Sequence, residues 1–380
     1  MKAKSIKGNS TAEIKIGLEK SMEDGFRPSL AIVFASIKQD IDAICDLLDL
    51  QDIKIFGATS CGEFIDGEIG SGTIAMLLLD MDPSNFRILL EDYRENDPEV
   101  VAEAMAKKAK EYFKNPSFII SSSIEVMNSS SMCEPILRSI EAVTGQDTVI
   151  WGGRAGDDFL FDETIVFTNG QSTKRGIILL VLNGEKVLVK GQSTSGLKAV
   201  GTPKTITKVI GDWVMEIDNQ PAADIVLKYL GLHLTQEEAE SYNPGIIVFS
   251  LLRDQGEPVM RSTGVFNWKE KSILISSGIK TGDKIRFTLP PDFEIIEEVS
   301  RNAGKIKEKE MPEADALLMF SCAGRLGQLG PLMGEEIDGI RDVFKVPMAG
   351  FFAYGEFGRT DNGNNEFHNH TCCWVALKEK

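Results

Sequence analysis

The chain has 380 residues, 42% hydrophobic and 26% charged, which suits two packed cores in a folded globular protein and argues against global disorder. Its formal charge of −16 and pI near 4.8 repel phosphate backbones, and no Lys/Arg-rich run with interleaved aromatics offers a local exception, so no nucleic-acid partner is expected. The longest apolar runs, "TIAMLLL" (73–79) and "GIILLVL" (176–182), are strand-sized and fall short of the roughly 18 residues a membrane helix needs, so no membrane insertion is expected.

In chain order, residues 1–26 read as a surface helix: Ser10 and Glu13 are spaced as a capping box, and no long apolar stretch follows the leading lysines as it would in a signal peptide. "PSLAIVFAS" (28–36) is a short apolar run bounded by polar residues, hence a strand, and "DIDAICDLL" (40–48) carries apolar residues on one helical face. "GATSCGEF" (57–64) then makes a glycine-rich turn with an acid, followed by the strand "TIAMLLLDM" (73–81). The same succession recurs near the C-terminus as "EADALLMFSC" (313–322), "EIDGIRDVF" (336–344), "GFFAYGEF" (350–357) and "HTCCWVAL" (370–377). A middle copy consists of "SFIISSS" (117–123), a helix near 134–143, "TVIWGGRAGDDF" (148–159) and "RGIILLVL" (175–182). Residues 183–212 read as hairpins, 218–244 as helices ending at Pro244, 245–289 as β-rich, and 292–310 as a long polar helix.

The expected fold is therefore α/β in the mixed α+β sense. Two domains of mixed β-sheets packed with helices, 27–222 and 223–380, are built from pseudo-repeated strand–helix–strand–turn–strand units. Duplication predicts a site made of equivalent glycine–acid turns at strand ends, where backbone and carboxylates line a cleft. Six cysteines scattered in apolar segments read as reduced thiols of a cytoplasmic protein.

Three constellations carry chemistry. In "EFHNHTCCWVAL" (366–377), an extended chain puts His368, His370, Cys372 and Trp374 on one face and Asn369, Thr371, Cys373 and Val375 on the other. Both faces end apolar, so the strand is central and its histidines lie at its entry, near Glu356. The two histidines with Cys372 could ligate zinc only with a second segment from Cys322, and either histidine could be an axial heme ligand with Phe351, Phe352 and Tyr354 as an apolar slot. In "FSCAGRLGQLG" (320–330), Arg325 and exposed N–H groups could hold a carboxylate or phosphate, and Cys322 paired with His368 or His370 could be a nucleophile. In "GGRAGDD" (152–158), Asp157 and Asp158 could hold a cation or an amine while Arg154 takes a carboxylate. No phosphate-binding P-loop or dinucleotide fingerprint is present.

With these motifs assembled, "GATSCGEF", "GGRAGDD", "FSCAGR", "GFFAYGEF" and "FHNHT", in order, the chain resembles the FIST family, named for F-box and intracellular signal transduction proteins. The resemblance covers most of the chain, and the 27–222 and 223–380 halves correspond to its N-terminal and C-terminal parts. It implies a non-enzymatic sensory module that binds a small molecule such as an amino acid. It also implies action near a histidine kinase or chemotaxis protein, with heme binding and a response to nitric oxide in some bacterial members. No kinase, receptor or F-box segment is evident, so the signal is expected to pass to a separate partner. The expected ligand-binding residues are Arg154, Asp157, Asp158, Cys322, Arg325, Tyr354, Glu356, His368, Asn369 and His370. The alternatives are a heme-based sensor with His368 or His370 as axial ligand, and a Cys–His hydrolase or transferase.

Overall fold

A computed structural model of the chain describes residues 1–123, 132–242, 246–254, 256–275, 278–359 and 364–380; the helix end expected at Pro244 lies outside them. The apolar runs form strands because both of their faces are covered. Leu30–Ser36 is buried at every position, as in a parallel strand packed on two sides. The helix Ile41–Asp49 buries Ile41, Ile44, Cys45 and Leu48 along one face, and Asp40 caps it by accepting the Ala43 N–H at 3.0 Å.

The repeat is longer than the sequence suggested and occurs three times. The first copy comprises Lys2–Gly8, helix Thr11–Met22, Leu30–Ser36, helix Ile41–Asp49, Lys54–Ser60, a hairpin Glu63–Ile65 with Glu68–Gly70, and Ile74–Asp80. The second comprises Phe86–Asp92, helix Pro98–Tyr112, Pro116–Ser123, helix Cys133–Thr144, Ile150–Gly153, a hairpin Val166–Thr168 with Gln171–Thr173, and Gly176–Asn183. The third comprises Val187–Thr194, helix Glu294–Lys309, Ala316–Cys322, helix Met333–Phe344, Met348–Ala353, a hairpin Glu356–Arg359 with Asn365–His368, and Cys372–Glu379. In every copy the two central strands are parallel, and the last strand lies antiparallel between the first central strand and the leading edge strand. Residues 2–8 thus depart from the expected surface helix. They pair along their whole length with Ile74–Asp80, whose edge would otherwise expose a row of N–H and C=O groups.

Each hairpin leaves its own copy. The first completes the sheet of the third copy, the second that of the first, and the third that of the second. The three sheets share one inner core in which Phe34, Phe320 and Phe351 meet, with Phe34 and Phe351 ring centres 4.5 Å apart. Their outer faces are covered separately by the helix pairs of the three copies.

The second domain enters between the edge strand and the first helix of the third copy. Strands Lys198–Ile210, Lys284–Leu289, Val248–Leu251, Val259–Asn267, Ser272–Ile275 and Trp213–Ile217 pair in that order, and the last closes on the first to make a six-stranded antiparallel barrel. Helix Ala222–Tyr229 packs into its core, with Tyr229 stacked on Phe287 at 3.8 Å. The residues expected to form hairpins, 183–212, therefore divide between an edge strand of the threefold body and the longest barrel strand.

Candidate functional site

In open α/β sheets, ligands bind beyond the carboxyl ends of parallel strands, and here three such ends lie in one body. The turns after the second central strands of copies one and three are true equivalents. Gly62 and Gly355 share φ +133°, which side chains rarely adopt, and each hands the chain to an acid, Glu63 or Glu356. Thr73 N–H and Oγ1 donate to Glu63 Oε2 at 3.0 and 2.7 Å; Thr371 N–H and Oγ1 donate to Glu356 Oε2 at 3.2 and 2.8 Å. Burial pushes Glu63 up to about 7 and Glu356 up to about 8, against Thr hydrogen bonds that pull the other way. Burial thus favours the protonated form of both carboxyls.

The middle copy breaks the pattern. By strand register, Val166 stands where the other copies have the acid, and Asp157 and Asp158 lie in a longer connection before it. Asp157 accepts from the Phe161, Asp162 and Glu163 N–H groups and from the Tyr354 hydroxyl, so it organises its own loop. Tyr354 also stacks on Phe161 at 5.0 Å. Asp158 accepts from Ser36 Oγ at 2.7 Å and pairs with Lys38 at 3.0 Å, at the strand end of the first copy.

The C-terminal motif is two strands. His368 ends a strand in the sheet of the second copy, His370 turns the chain with φ +55°, and Cys372 starts a strand in the sheet of the third, so the expected alternation stops at residue 368. The second strand is central and buried on both faces, as expected. Burial, then Arg261, lowers His368 to about 3; burial, then Arg325, lowers His370 to about 4. Asn369 accepts the N–H of Ser262 in the barrel at 3.2 Å.

Arg325 is fully buried and faces Glu336 as an ion pair; its remaining N–H groups reach the carbonyls of Ser195, 2.8 Å, and His370, 3.2 Å. The guanidinium expected to anchor a ligand therefore fastens the strand that leads into the barrel to the turn at residue 370. Cys322 is buried, and burial, then Glu356, holds its thiol well above the ordinary range; the thiol is protonated and faces a carboxyl. A heme does not fit the expected slot. Phe351 packs in the inner core, Phe352 against Phe64, Tyr354 against Phe161, and the His370 ring lies so close over Gly324 that a methyl there would overlap it. Among the described residues no group of three or more His, Cys, Asp and Glu side chains is placed to hold a metal ion.

Arg154 is different. It is 4% exposed, its backbone is locked to the Gly355 turn by hydrogen bonds of 2.9 and 3.1 Å, and its Nε has no partner. Among the described residues no carboxylate pairs with it. Its charge acts on Cys133, the first residue of helix Cys133–Thr144, and that thiol also meets Ser122. The helix begins at Met132 without a side-chain cap, and Ser122 is buried at the end of Pro116–Ser123. A cation, a hydroxyl and the positive end of a helix thus face one place at the strand end of the second copy. Just outside, Glu134 pairs with Arg138, 3.1 Å, with Arg253, 2.9 Å, and with Arg261, the last two from the barrel. Sequence reasoning singled out Arg154 and passed over Ser122, Cys133, Glu134 and Arg261; the triple serine closing "SFIISSS" was the available signal, since three hydroxyls at the end of an apolar strand lack a packing reason.

The model of the FIST N domain matches residues 29–220, and that of the FIST C domain matches residues 222–359. No curated protein matches the chain.

Proposed function

This chain belongs to the FIST family, and we propose that it is the ligand-sensing component of a signal-transduction system. The family association supports a sensory role; the ligand and the route of the signal are our reading. The ligand is a small carboxylate such as an amino acid, bound where Arg154, Ser122 and the start of helix Cys133–Thr144 meet. The observation that carries this is the Arg154 guanidinium, buried with no carboxylate partner among the described residues. A buried charge without a counter-ion costs several kcal/mol, and a bound anion removes that cost. A bidentate guanidinium–carboxylate pair with a helix N-terminus behind it is a strong, directional contact. The bound state passes to a separate protein, a histidine kinase or a chemotaxis protein, through the barrel whose arginines clamp Glu134 beside the site.

A thermal-shift screen of the amino acids and small dicarboxylates tests it. A binder present at 100 times its Kd adds about 2.7 kcal/mol of stability. The shift is expected to vanish in Arg154→Gln while that variant keeps its far-ultraviolet circular dichroism. A binder whose shift is the same in Arg154→Gln overturns the site.

A further inference from the structure

The loop at 158–161 holds apolar side chains out in solvent on a strained backbone. Asp158, Phe159 and Phe161 have φ of +54°, +64° and +54°, a region that bulky side chains rarely adopt. Asp157 fixes the loop from one side by accepting the Phe161, Asp162 and Glu163 N–H groups, and Phe161 stacks on the Tyr354 ring from the other. Phe159, Leu160 and Phe161 are nevertheless 45, 61 and 47% exposed, and none of them belongs to the core. Single apolar residues at a surface are ordinary; three in succession on an anchored, strained backbone have no packing reason. Strain of this kind persists where the surroundings over-determine it, and it gathers at functional places. Aromatic side chains already held in place make good interface anchors, because little freedom is lost when a partner covers them.

The charges beside the loop decide what kind of partner fits. Ser36 and Lys38 both bind Asp158, which sets the loop next to the start of helix Ile41–Asp49. That helix carries no basic residue and exposes Asp42 and Asp46, and among the described residues neither pairs with a cation. Asp46 and Asp49 stand in its last turn, where the helix dipole disfavours acids, so helix stability does not account for them. The nearby Lys38 and Lys174 already pair with Asp158 and Glu163, at 3.0 and 2.6 Å, while Asp162 is exposed with no cation on it among the described residues. A second copy of the chain would bring the same acids and the same formal charge of −16 to this face, which opposes self-association.

We propose that Phe159, Leu160 and Phe161, with Asp42, Asp46 and Asp162 beside them, form a docking surface for a separate protein that offers an apolar pocket rimmed by lysine or arginine. Phe159 and Leu160 enter the pocket, and the rim cations face the three carboxylates. Apolar anchors supply the affinity and the acids select the partner. The surface stands independently of the ligand at Arg154.

The test selects binders to the full chain from a phage-displayed library of short random peptides and measures the enriched peptides by fluorescence polarisation. They are expected to combine apolar residues with lysine or arginine. Phe159→Gly with Leu160→Ser removes two exposed side chains, and glycine tolerates the φ of residue 159, so this variant should keep the parent's circular dichroism and melting temperature. It is expected to bind the peptides about tenfold more weakly or worse. Asp42→Lys with Asp46→Lys, both exposed, should weaken them by a similar factor and flatten the salt dependence. Arg154→Gln should leave binding unchanged. Equal affinity in the loop variant overturns the proposal, as does enrichment of acidic or purely apolar peptides, or no enrichment at all. Sedimentation that finds the parent dimeric and the loop variant monomeric would also overturn it, by making a second copy the occupant.

Discussion

Glu356 and Glu63 keep protons that the unfolded chain releases. Their folded values, about 8 and about 7, lie above the ordinary 4.5. The stability they contribute is therefore fully present below about pH 4.5 and is lost as pH rises toward 8. His368 and His370 act in the opposite sense: held at about 3 and 4 against an ordinary 6.5, they contribute stability above pH 6.5 that is lost as pH falls through their folded values. Of these four groups, the glutamates change most between pH 6.5 and 8. Urea midpoints are thus expected to fall across that interval in the parent chain and to stay flatter in Glu356→Gln, which mimics the protonated acid; parallel curves would show that Glu356 is ionised in the fold. The cysteines give a second expectation. All six are buried and free, and Cys322 is held protonated, so iodoacetamide at pH 7 should label none of them faster than the chain opens. One rapidly labelled thiol would return Cys322 to consideration as a nucleophile.

At the scale of elements, the Gly-Glu hairpins were legible because their constraint is local. A glycine at φ +133° followed by an acid under a threonine is the same structure twice, and the sequence repeats it as G-x-x-x-x-G-E-F. In Gly355→Ala the new methyl would overlap the Phe367 ring in a disfavoured backbone region, and a loss of about 2–4 kcal/mol is expected by denaturant unfolding. Gly72→Ala has positive φ but nothing within 4 Å, so it should cost only about 1 kcal/mol. Equal losses would remove the packing argument. The middle copy misled because "GGRAGDDF" also carries acids after a glycine, while its hairpin begins further on, at Val166. Arg325 misled for a related reason: an arginine after a strand is equally suited to an anion or to an internal acid, and Glu336, placed by a different helix, decides between them. Only tertiary structure supplies such partners.

At the scale of the molecule, the sequence disclosed repetition but not its closure into a threefold body, because exchange of hairpins joins segments far apart in the chain. It also left the barrel looking like a continuation of β-rich sequence rather than a domain set within the third copy. The barrel is joined to the body by two crossings, near residues 195–197 and 290–293, and by Arg253 and Arg261, which reach Glu134 and Glu366 of the body. In Glu134→Gln with Glu366→Gln, those guanidiniums lose their counter-charges, and faster proteolysis at the two crossings is expected with the threefold body left intact. Unchanged cleavage would mean that the ion network does not restrain the barrel.

The exchanged hairpins also set a timetable for synthesis. Residues 63–65 pair with 349–351, so the first hairpin leaves the ribosome long before its strand exists. At about 5–20 residues per second the wait is on the order of half a minute. During that interval Phe64, which ends at the foot of Gly350 with no solvent exposure, has no home. The threefold body is therefore completed only when nearly the whole chain has been made, and nascent chains halted before residue 348 should occupy chaperones however stable the finished protein is.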